Sequence, residues 1–144
     1  MKKTIVLITC VLLLVTAGCS SSNEYAAPDD IAALVVDWGD AVNRSDGSVI
    51  ELYQSNGYHV YGDQRIEHDE LVAHLEVPGW TGEMITDPLL VVNEEDRRYV
   101  VVCGARNNGP SGFSAESAIN FEIVRTADDE LKIVHTAWLY QHDL

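Results

Sequence analysis

Cysteine is scarce in this sequence, which has three cysteines in 144 residues. Cys10 and Cys19 lie within the first 19 residues, which are predicted below to be a cleaved export signal and a lipidated cysteine, so Cys103 is the one cysteine left in the rest of the chain. A single cysteine excludes an intramolecular disulfide, and the domain must be stabilised by packing. Cys103 ends the apolar run of residues 99–103. That position is typical of a small buried hydrophobe rather than a catalytic thiol.

Basic residues are also few. Nine Lys and Arg stand against 23 Asp and Glu, which gives a formal net charge of −14. The first 18 residues hold two of the nine basic residues and none of the acidic ones, so the chain without them carries a charge of −16. A field of this sign repels phosphate backbones, which excludes nucleic acid as a partner.

Several motifs that would identify a reaction are missing. The sequence has no phosphate loop, CxxC pair, Ser-His-Asp signature or dinucleotide fingerprint, so no cofactor is predicted. Glu70 and His74 lie one turn apart on a predicted helix that also carries His68. A transition-metal site needs three or four ligands, and the neighbouring sequence does not supply the others. A solvated helix face is therefore favoured, and no metal site is predicted.

The N-terminus has the parts of a bacterial export signal. Lys2 and Lys3 give a positive start, and an apolar run follows over residues 5–15. The run is too short to span a membrane, which takes about 20 residues. Residues 15–19 (VTAGC) resemble a lipobox, which implies cleavage after Gly18 and a diacylglycerol on the sulfur of Cys19.

Lipid at Cys19 implies a stable membrane anchor outside the cytoplasm, because two or more acyl chains hold firmly where one is marginal. In a Gram-negative host, Ser20 after the cysteine resembles the pattern of lipoproteins sent on to the outer membrane. The predicted organisation is a signal peptide over residues 1–18, a polar tether over 19–28 and one domain over 29–144.

Helices are predicted in the first half of that domain. One helix carries an apolar stripe with Asp29 or Asp30 as its N-cap. A second, short helix is predicted from Ser48 through Tyr53, and a third over residues 68–75. The stripe consists of Ile31, Leu34, Val35, Trp38 and Val42.

Strands are predicted in the second half. A short strand at residues 58–61 precedes the third helix, and long strands follow at 84–93, 98–107, 114–126 and 131–140. Polar hairpin turns separate the last three, so these neighbours should be antiparallel. Helices followed by an antiparallel sheet predict an α+β fold with the helices packed on one sheet face.

Residues 38–46 with 50–53, and residues 121–125 with 131–135, resemble the nuclear transport factor 2-like superfamily, including its SnoaL-like and ketosteroid-isomerase-like branches. The resemblance covers about residues 29–140. It implies a cystatin-like roll, in which a strongly curved sheet wraps the helices into a cone with a pocket at its open end. It also implies a possible homodimer through the sheet. The same cone holds isomerases, dehydratases, cyclases, transport adaptors and ligand-binding domains, so fold does not settle function.

Ketosteroid-isomerase-like members use a carboxylate base on the strand after the second helix. The resemblance puts that position close to Tyr61, with Asp63 two residues beyond. The phenol of a tyrosine titrates near pH 10, so Tyr61 cannot serve as the base at its ordinary pKa. Asp63 could be the base if the turn is shifted. The acid that stabilises the oxyanion would fall at Ile119 or Asn120. Both departures disfavour proton abstraction next to a carbonyl.

SnoaL-like members commonly use a His or Asp inside the cone. His135 lies two residues after Ile133, so both are predicted to face the core side of the sheet. A histidine can transfer protons near neutral pH. Trp138 lies on the opposite alternation and is predicted to face outwards, where dimers of the family pair.

Two interpretations stay open. The first is a non-catalytic lipoprotein whose pocket binds a small apolar or amphiphilic ligand, or a protein partner. The alternative is an acid–base enzyme of isomerase, dehydratase or cyclase type that works through His135 with Tyr61 or Asp63. The predicted pocket residues are Trp38, Tyr53, Tyr61, Arg106 and His135.

Overall fold

The computed structural model describes residues 25–139. The predicted signal peptide, Cys19, most of the predicted tether and the last five residues lie outside this range. The helices are α1 (Asp29–Arg44) and α2 (Leu71–Leu75), with 3₁₀ helices at Ser48–Leu52, His68–Glu70 and Pro110–Gly112. The strands are β1 (Tyr53–Tyr61), β2 (Gln64–Glu67), β3 (Thr81–Met84), β4 (Leu89–Glu94), β5 (Arg98–Asn108), β6 (Ser114–Arg125) and β7 (Leu131–Leu139).

Helix α1 buries the predicted apolar stripe, since Ile31, Leu34, Val35, Trp38 and Ala41 are buried on one face. Val42 packs at the border of the core. Neither aspartate is the N-cap, because Pro28 occupies that position and no side chain caps the helix. Asp29 and Asp30 instead lie in the first turn, where negative charge interacts favourably with the helix dipole.

The second predicted helix is shorter than expected. It is a 3₁₀ helix that ends at Leu52, and β1 begins at Tyr53 instead of residue 58. Tyr53 pairs with Ile133 of β7, and its side chain is buried. This long-range pairing prevails over the local helical pattern, because it buries a large aromatic ring. The third predicted helix is confirmed, with a 3₁₀ first turn ahead of α2.

The sheet has the strand order β2-β1-β7-β6-β5-β3, and β4 also pairs with β5. The α+β class and the two antiparallel hairpins β5–β6 and β6–β7 are confirmed. The sheet as a whole is mixed, because β1 and β7 are parallel. The strand predicted over residues 84–93 is two strands, with Pro88 in the break, a residue that cannot donate to a sheet ladder.

A bulge in β7 sets the direction of its side chains. Ile123 pairs with Ile133, but the neighbouring Glu122 pairs with His135, so β7 has one extra residue here. The extra residue reverses the alternation. Ile133 and Thr136 are buried on the inner face, and His135 lies on the outer face. The prediction that His135 faces the core with Ile133 is therefore wrong.

The same bulge turns Trp138 inwards, where it packs against the core. The prediction that Trp138 faces the outer side of the sheet is wrong for this reason. A dimer through the outer face would have to use other residues.

Part of the predicted tether is bonded to the domain. Ala26 forms an antiparallel bridge with Leu89, Ala27 N donates to Pro88 O at 3.1 Å, and Leu90 N donates to Tyr25 O at 2.7 Å. The chain thus enters the domain as a short extra strand beside β4. Within residues 25–139, no helix is long and apolar enough to cross a membrane.

Candidate functional site

An open pocket of about 490 Å³ lies between the second half of α1, α2 and the inner face of the sheet. This volume is in the range of small-molecule sites, which are mostly apolar with a few polar groups. The apolar lining includes Trp38, Val42, Leu75, Val77, Trp80, Met84, Ala105, Phe113 and Trp138, and the polar lining includes Tyr61, His74, Asn107 and Ser117.

Exposed aromatic side chains surround the mouth of the pocket. Trp80 and Phe113 contact each other with their ring centroids 5.3 Å apart, and both are about half exposed. Tyr61 stands edge-on to His74 at 5.3 Å. Such rings offer a large apolar surface at little entropic cost, so the rim suits an apolar molecule.

A chain of buried hydrogen bonds lies behind the pocket wall. Trp38 Nε1 donates to Tyr53 Oη at 3.0 Å, Tyr53 Oη lies 2.6 Å from Thr136 Oγ1, and that oxygen lies 2.7 Å from His59 Nδ1. An indole N–H can only donate. Full pairing therefore has Tyr53 donating to Thr136, and Thr136 donating to His59 Nδ1. His59 then carries its hydrogen on Nε2.

His59 is fully buried beside His74, with their ring centroids 5.3 Å apart. Its Nε2 has no hydrogen-bond partner among the described residues. Burial lowers the pKa of His59 to about 3, and the neighbouring His74 adds to the effect. Burial also lowers the pKa of His74. Both imidazoles are therefore neutral at pH 7, which keeps this side of the pocket free of positive charge.

Two of the predicted pocket residues, Trp38 and Tyr61, line the pocket. Tyr53 lies behind the wall, bonded to Trp38 and fully enclosed, and burial raises the pKa of its hydroxyl. Asp63 lies exposed in the turn after β1 and is not among the lining residues. The structure therefore does not bring Asp63 and Tyr61 together around the cavity.

Arg106 was predicted in the pocket and lies outside it. Its neighbours Ala105 and Asn107 line the cavity, so strand alternation turns Arg106 to the other face. It forms ion pairs with Glu83 at 2.7 Å and Glu116 at 2.6 Å, two residues that also border the pocket. The prediction that Arg106 lines the pocket is wrong.

His135 is also outside the pocket, in a cluster on the outer face of the sheet. Its ring stacks on Tyr58 at 5.0 Å, and Arg65 lies over the other side of Tyr58 at 3.6 Å. His135 Nδ1 lies 3.0 Å from Glu122 Oε2. Burial lowers the pKa of His135, and Glu122 partly opposes this shift. His135 therefore has no access to a molecule in the cone.

Sequence reasoning missed His74, Trp80, Met84, Phe113 and Trp138 as pocket residues. His74 lies one turn after Leu71, which is buried, and this spacing could have placed it on the inner side of α2. Trp80 and Phe113 come from two separate loops, so only the fold brings them together. Within residues 25–139, no three His, Cys, Asp or Glu side chains are grouped to hold a metal ion.

Comparison with known proteins gives the fold. No family model and no curated protein matches the sequence. A nuclear transport factor 2-like superfamily protein from Salmonella enterica serovar Typhimurium has a similar structure, with a TM-score of 0.64 and 8% identity over 79% of this chain and 92% of that chain. The chain therefore has the nuclear transport factor 2-like fold, as the sequence resemblance implied.

Two further solved structures show how widely this fold is used. A ketosteroid isomerase-like protein from Erwinia carotovora atroseptica matches with a TM-score of 0.55 and 18% identity over 77% of this chain and 95% of that one. The association domain of CaMKII from C. elegans matches with a TM-score of 0.62 and 14% identity over 77% and 93%. Identities this low establish the shared fold and leave function to the site.

Proposed function

We propose that this chain is a lipid-anchored extracytoplasmic protein whose pocket binds a small apolar or amphiphilic ligand without converting it. The observation that carries the binding half of the proposal is the open, largely apolar cavity of about 490 Å³ with aromatic rings at its mouth. Exposed apolar rings of this kind mark interaction sites on soluble domains. The few polar groups along the wall would orient the polar end of an amphiphile.

The aromatic mouth has an energetic consequence. Trp80 and Phe113 are each exposed to solvent by 40% or more. Covering them with a ligand removes apolar surface from water, which stabilises a complex by about 25 cal/mol per Å². The neutral imidazole of His74 and the hydroxyl of Ser117, which is buried without a partner among the described residues, would interact with an uncharged polar group.

Titration with N-phenyl-1-naphthylamine, a neutral fluorescent probe, tests the binding half. Ser117→Leu places a larger side chain against the cavity, and Ser55→Leu makes the same exchange at an exposed site on β1. The natural chain and Ser55→Leu should bind the probe alike. Ser117→Leu should weaken binding about tenfold, or about 1.4 kcal/mol. Equal binding by Ser117→Leu at unchanged stability would remove the pocket as the site.

The anchoring half rests on Cys19 and the residues before it. Cys19→Ser should leave the protein unprocessed or soluble, because the acyl chains that hold it firmly would be missing. Membrane fractionation with detection of the bound lipid by mass spectrometry makes the measurement. Normal membrane recovery of the Cys19→Ser protein would contradict this half and leave the ligand proposal untouched.

The acid–base alternative now requires a different histidine. His74 is the histidine that lines the cavity, and its lowered pKa leaves it a free base at neutral pH, next to Tyr61. That alternative predicts turnover of a carbonyl compound that His74→Ala abolishes at constant stability. The binding proposal predicts that the compound is recovered unchanged.

Pairing of two copies through the sheet stays a prediction. Sedimentation of the soluble domain measures it directly, and a charge reversal at Glu122 on the outer face should weaken such a dimer. A monomer at every concentration would contradict the pairing.

A further inference from the structure

Large apolar side chains exposed on the described part of the chain gather at two places, apart from Leu139. One group surrounds the mouth of the pocket and belongs to the site above. The other consists of Tyr25, Val36, Leu89 and Val91, which are between 42% and 65% exposed. We call this second group the tether face. It lies where the chain enters the domain, beside β4.

Backbone hydrogen bonds fix the geometry of the tether face. Tyr25 is held to β4 by the bond from Leu90 N to Tyr25 O, and Ala26 is bridged to Leu89. Leu89 and Val91 are both exposed along the edge strand β4. Edge strands of soluble proteins usually show charged residues there to prevent unwanted pairing. Apolar residues at this edge point to a surface that is covered.

Val36 extends the tether face onto α1. It borders a shallow groove whose other wall is formed by residues 84–88, directly before Leu89. The tether face thus includes a helix, an edge strand and the entering chain. Its members come from three separate stretches of sequence and meet only in the fold.

The position of Cys19 limits what can cover this surface. Five residues lie between Cys19 and Tyr25 in the sequence, so six residue-to-residue steps join them. A polypeptide extends by at most about 3.5 Å per residue, so the sulfur of Cys19 is within about 21 Å of Tyr25. Because the backbone of Tyr25 is bonded to β4, a lipid on Cys19 would keep this edge of the domain within about 21 Å of the bilayer.

We propose that the tether face is a membrane-docking surface, which rests against the bilayer that holds the Cys19 lipid. This inference depends on the proposed lipidation. A tyrosine at the entry point suits the headgroup region, where its ring is in an apolar layer and its hydroxyl in water. The bilayer surface should be zwitterionic, because a chain of charge −16 is repelled by anionic headgroups.

Docking by this surface orients the pocket. The chain enters at the N-terminal end of α1, whereas Asn43 at the other end bonds Gly82, which lines the pocket. Fourteen residues of helix at 1.5 Å each separate Asp29 from Asn43, or about 21 Å. Along β5, Val101 lies opposite Leu90 and Asn108 lies opposite Thr81, about 24 Å apart at 3.4 Å per residue.

The two lengths place the pocket-lining ends of α1 and β5 roughly 20 Å from the point where the chain enters the domain. Val36 lies closer to the pocket, seven helical residues or about 10 Å from Asn43. With the tether face against the bilayer, these pocket-lining ends are the parts of α1 and β5 that lie farther from the membrane.

Fluorescence quenching by nitroxide-labelled lipid tests this orientation on the lipidated chain in phosphatidylcholine vesicles. Val91→Cys puts a thiol-reactive bimane label on the tether face, and Ser114→Cys puts it at an exposed site near the pocket mouth. Cys103 is buried and stays unlabelled. The label at position 91 should be quenched several-fold more strongly than the label at 114. Equal quenching, or stronger quenching at 114, overturns the docking proposal.

Flotation of the same vesicles distinguishes a failure of the lipid anchoring from a failure of the docking. Protein that does not float lacks the lipid anchor, which overturns both the anchoring and the docking. Protein that floats but shows equal quenching overturns docking alone. Protection of position 91 from quenching together with a cross-linked dimer overturns it in favour of a second copy as the occupant.

Discussion

At the scale of single residues, the buried hydrogen-bond chain from Trp38 to His59 ties α1 to β1 and β7. Each member is paired with the next at 3.0 Å or less. Removing one member leaves buried donors or acceptors without partners, which costs more than a hydrogen bond contributes on average. Of this chain the sequence pointed to Trp38 and Tyr53. Thr136 was not predicted, because the bulge in β7 reverses which residues face inwards.

Tyr53→Phe should lower the free energy of unfolding by about 1–3 kcal/mol, because it leaves the Trp38 N–H and the Thr136 hydroxyl without their shared partner. Urea denaturation measures the change. Tyr25→Phe is the control, since Tyr25 is 65% exposed and its hydroxyl stays in water. An unchanged stability in Tyr53→Phe would show that the three groups are not bonded as described.

The buried His59 predicts a dependence of stability on pH. Burial lowers its pKa from 6.5 to about 3 in the folded chain. Below pH 6.5 the unfolded chain binds a proton that the folded chain does not, so the free energy of unfolding falls as the pH drops from 6.5 towards 3. The slope from this one group is about 1.4 kcal/mol per pH unit.

His59→Gln removes this titrating group, so unfolding should take up about one proton fewer between roughly pH 6 and pH 4.5. The free energy of unfolding should therefore change less steeply with pH in this range. Urea denaturation across this range is the measurement. His68→Gln is the control, because His68 is only partly buried, in the 3₁₀ turn before α2. A slope unchanged by His59→Gln would contradict the burial of a neutral imidazole.

At the scale of elements, Gly39 is an exception within α1, because glycine weakens a helix interior. A Cβ added at Gly39 would meet Met84 Cε at 3.5 Å, an ordinary contact. Gly39→Ala should therefore stabilise the protein by about 0.5–1 kcal/mol. Gly57→Ala is the counterpart: its Cβ would lie 2.9 Å from Tyr53 Cδ1 and should destabilise. Thermal unfolding measures the stability of both variants. A loss of stability in Gly39→Ala would contradict the packing of α1 on β3.

The elements also show what a sequence can and cannot predict. The stripe on α1 and the two hairpins among β5, β6 and β7 follow from local periodicity and turn residues, and both were predicted correctly. The start of β1 at Tyr53, its parallel pairing with β7 and the bulge between Ile133 and His135 depend on the register between distant strands. Periodicity within one strand contains no such register, so His135 and Trp138 were assigned to the wrong faces.

At the scale of the whole molecule, the acidic surface and the apolar pocket have different roles: the first interacts with water, and the second is suited to a ligand. The formal net charge of −14 keeps the surface solvated and repels nucleic acid and anionic lipid. The concave, aromatic-lined cavity is at the end of α1 away from the entering chain. An anchored domain of this kind would present a binding pocket to the surrounding solution.

The open apolar cavity between α1, α2 and the sheet is tested most directly by xenon binding in a crystal of residues 25–139. Xenon occupies apolar cavities by dispersion and needs no knowledge of the natural ligand. Xenon density is expected within the pocket, bounded by Trp38, Met84 and Trp138. A cone filled by the side chains of Trp80 and Phe113, with no xenon between α1 and the sheet, would contradict it.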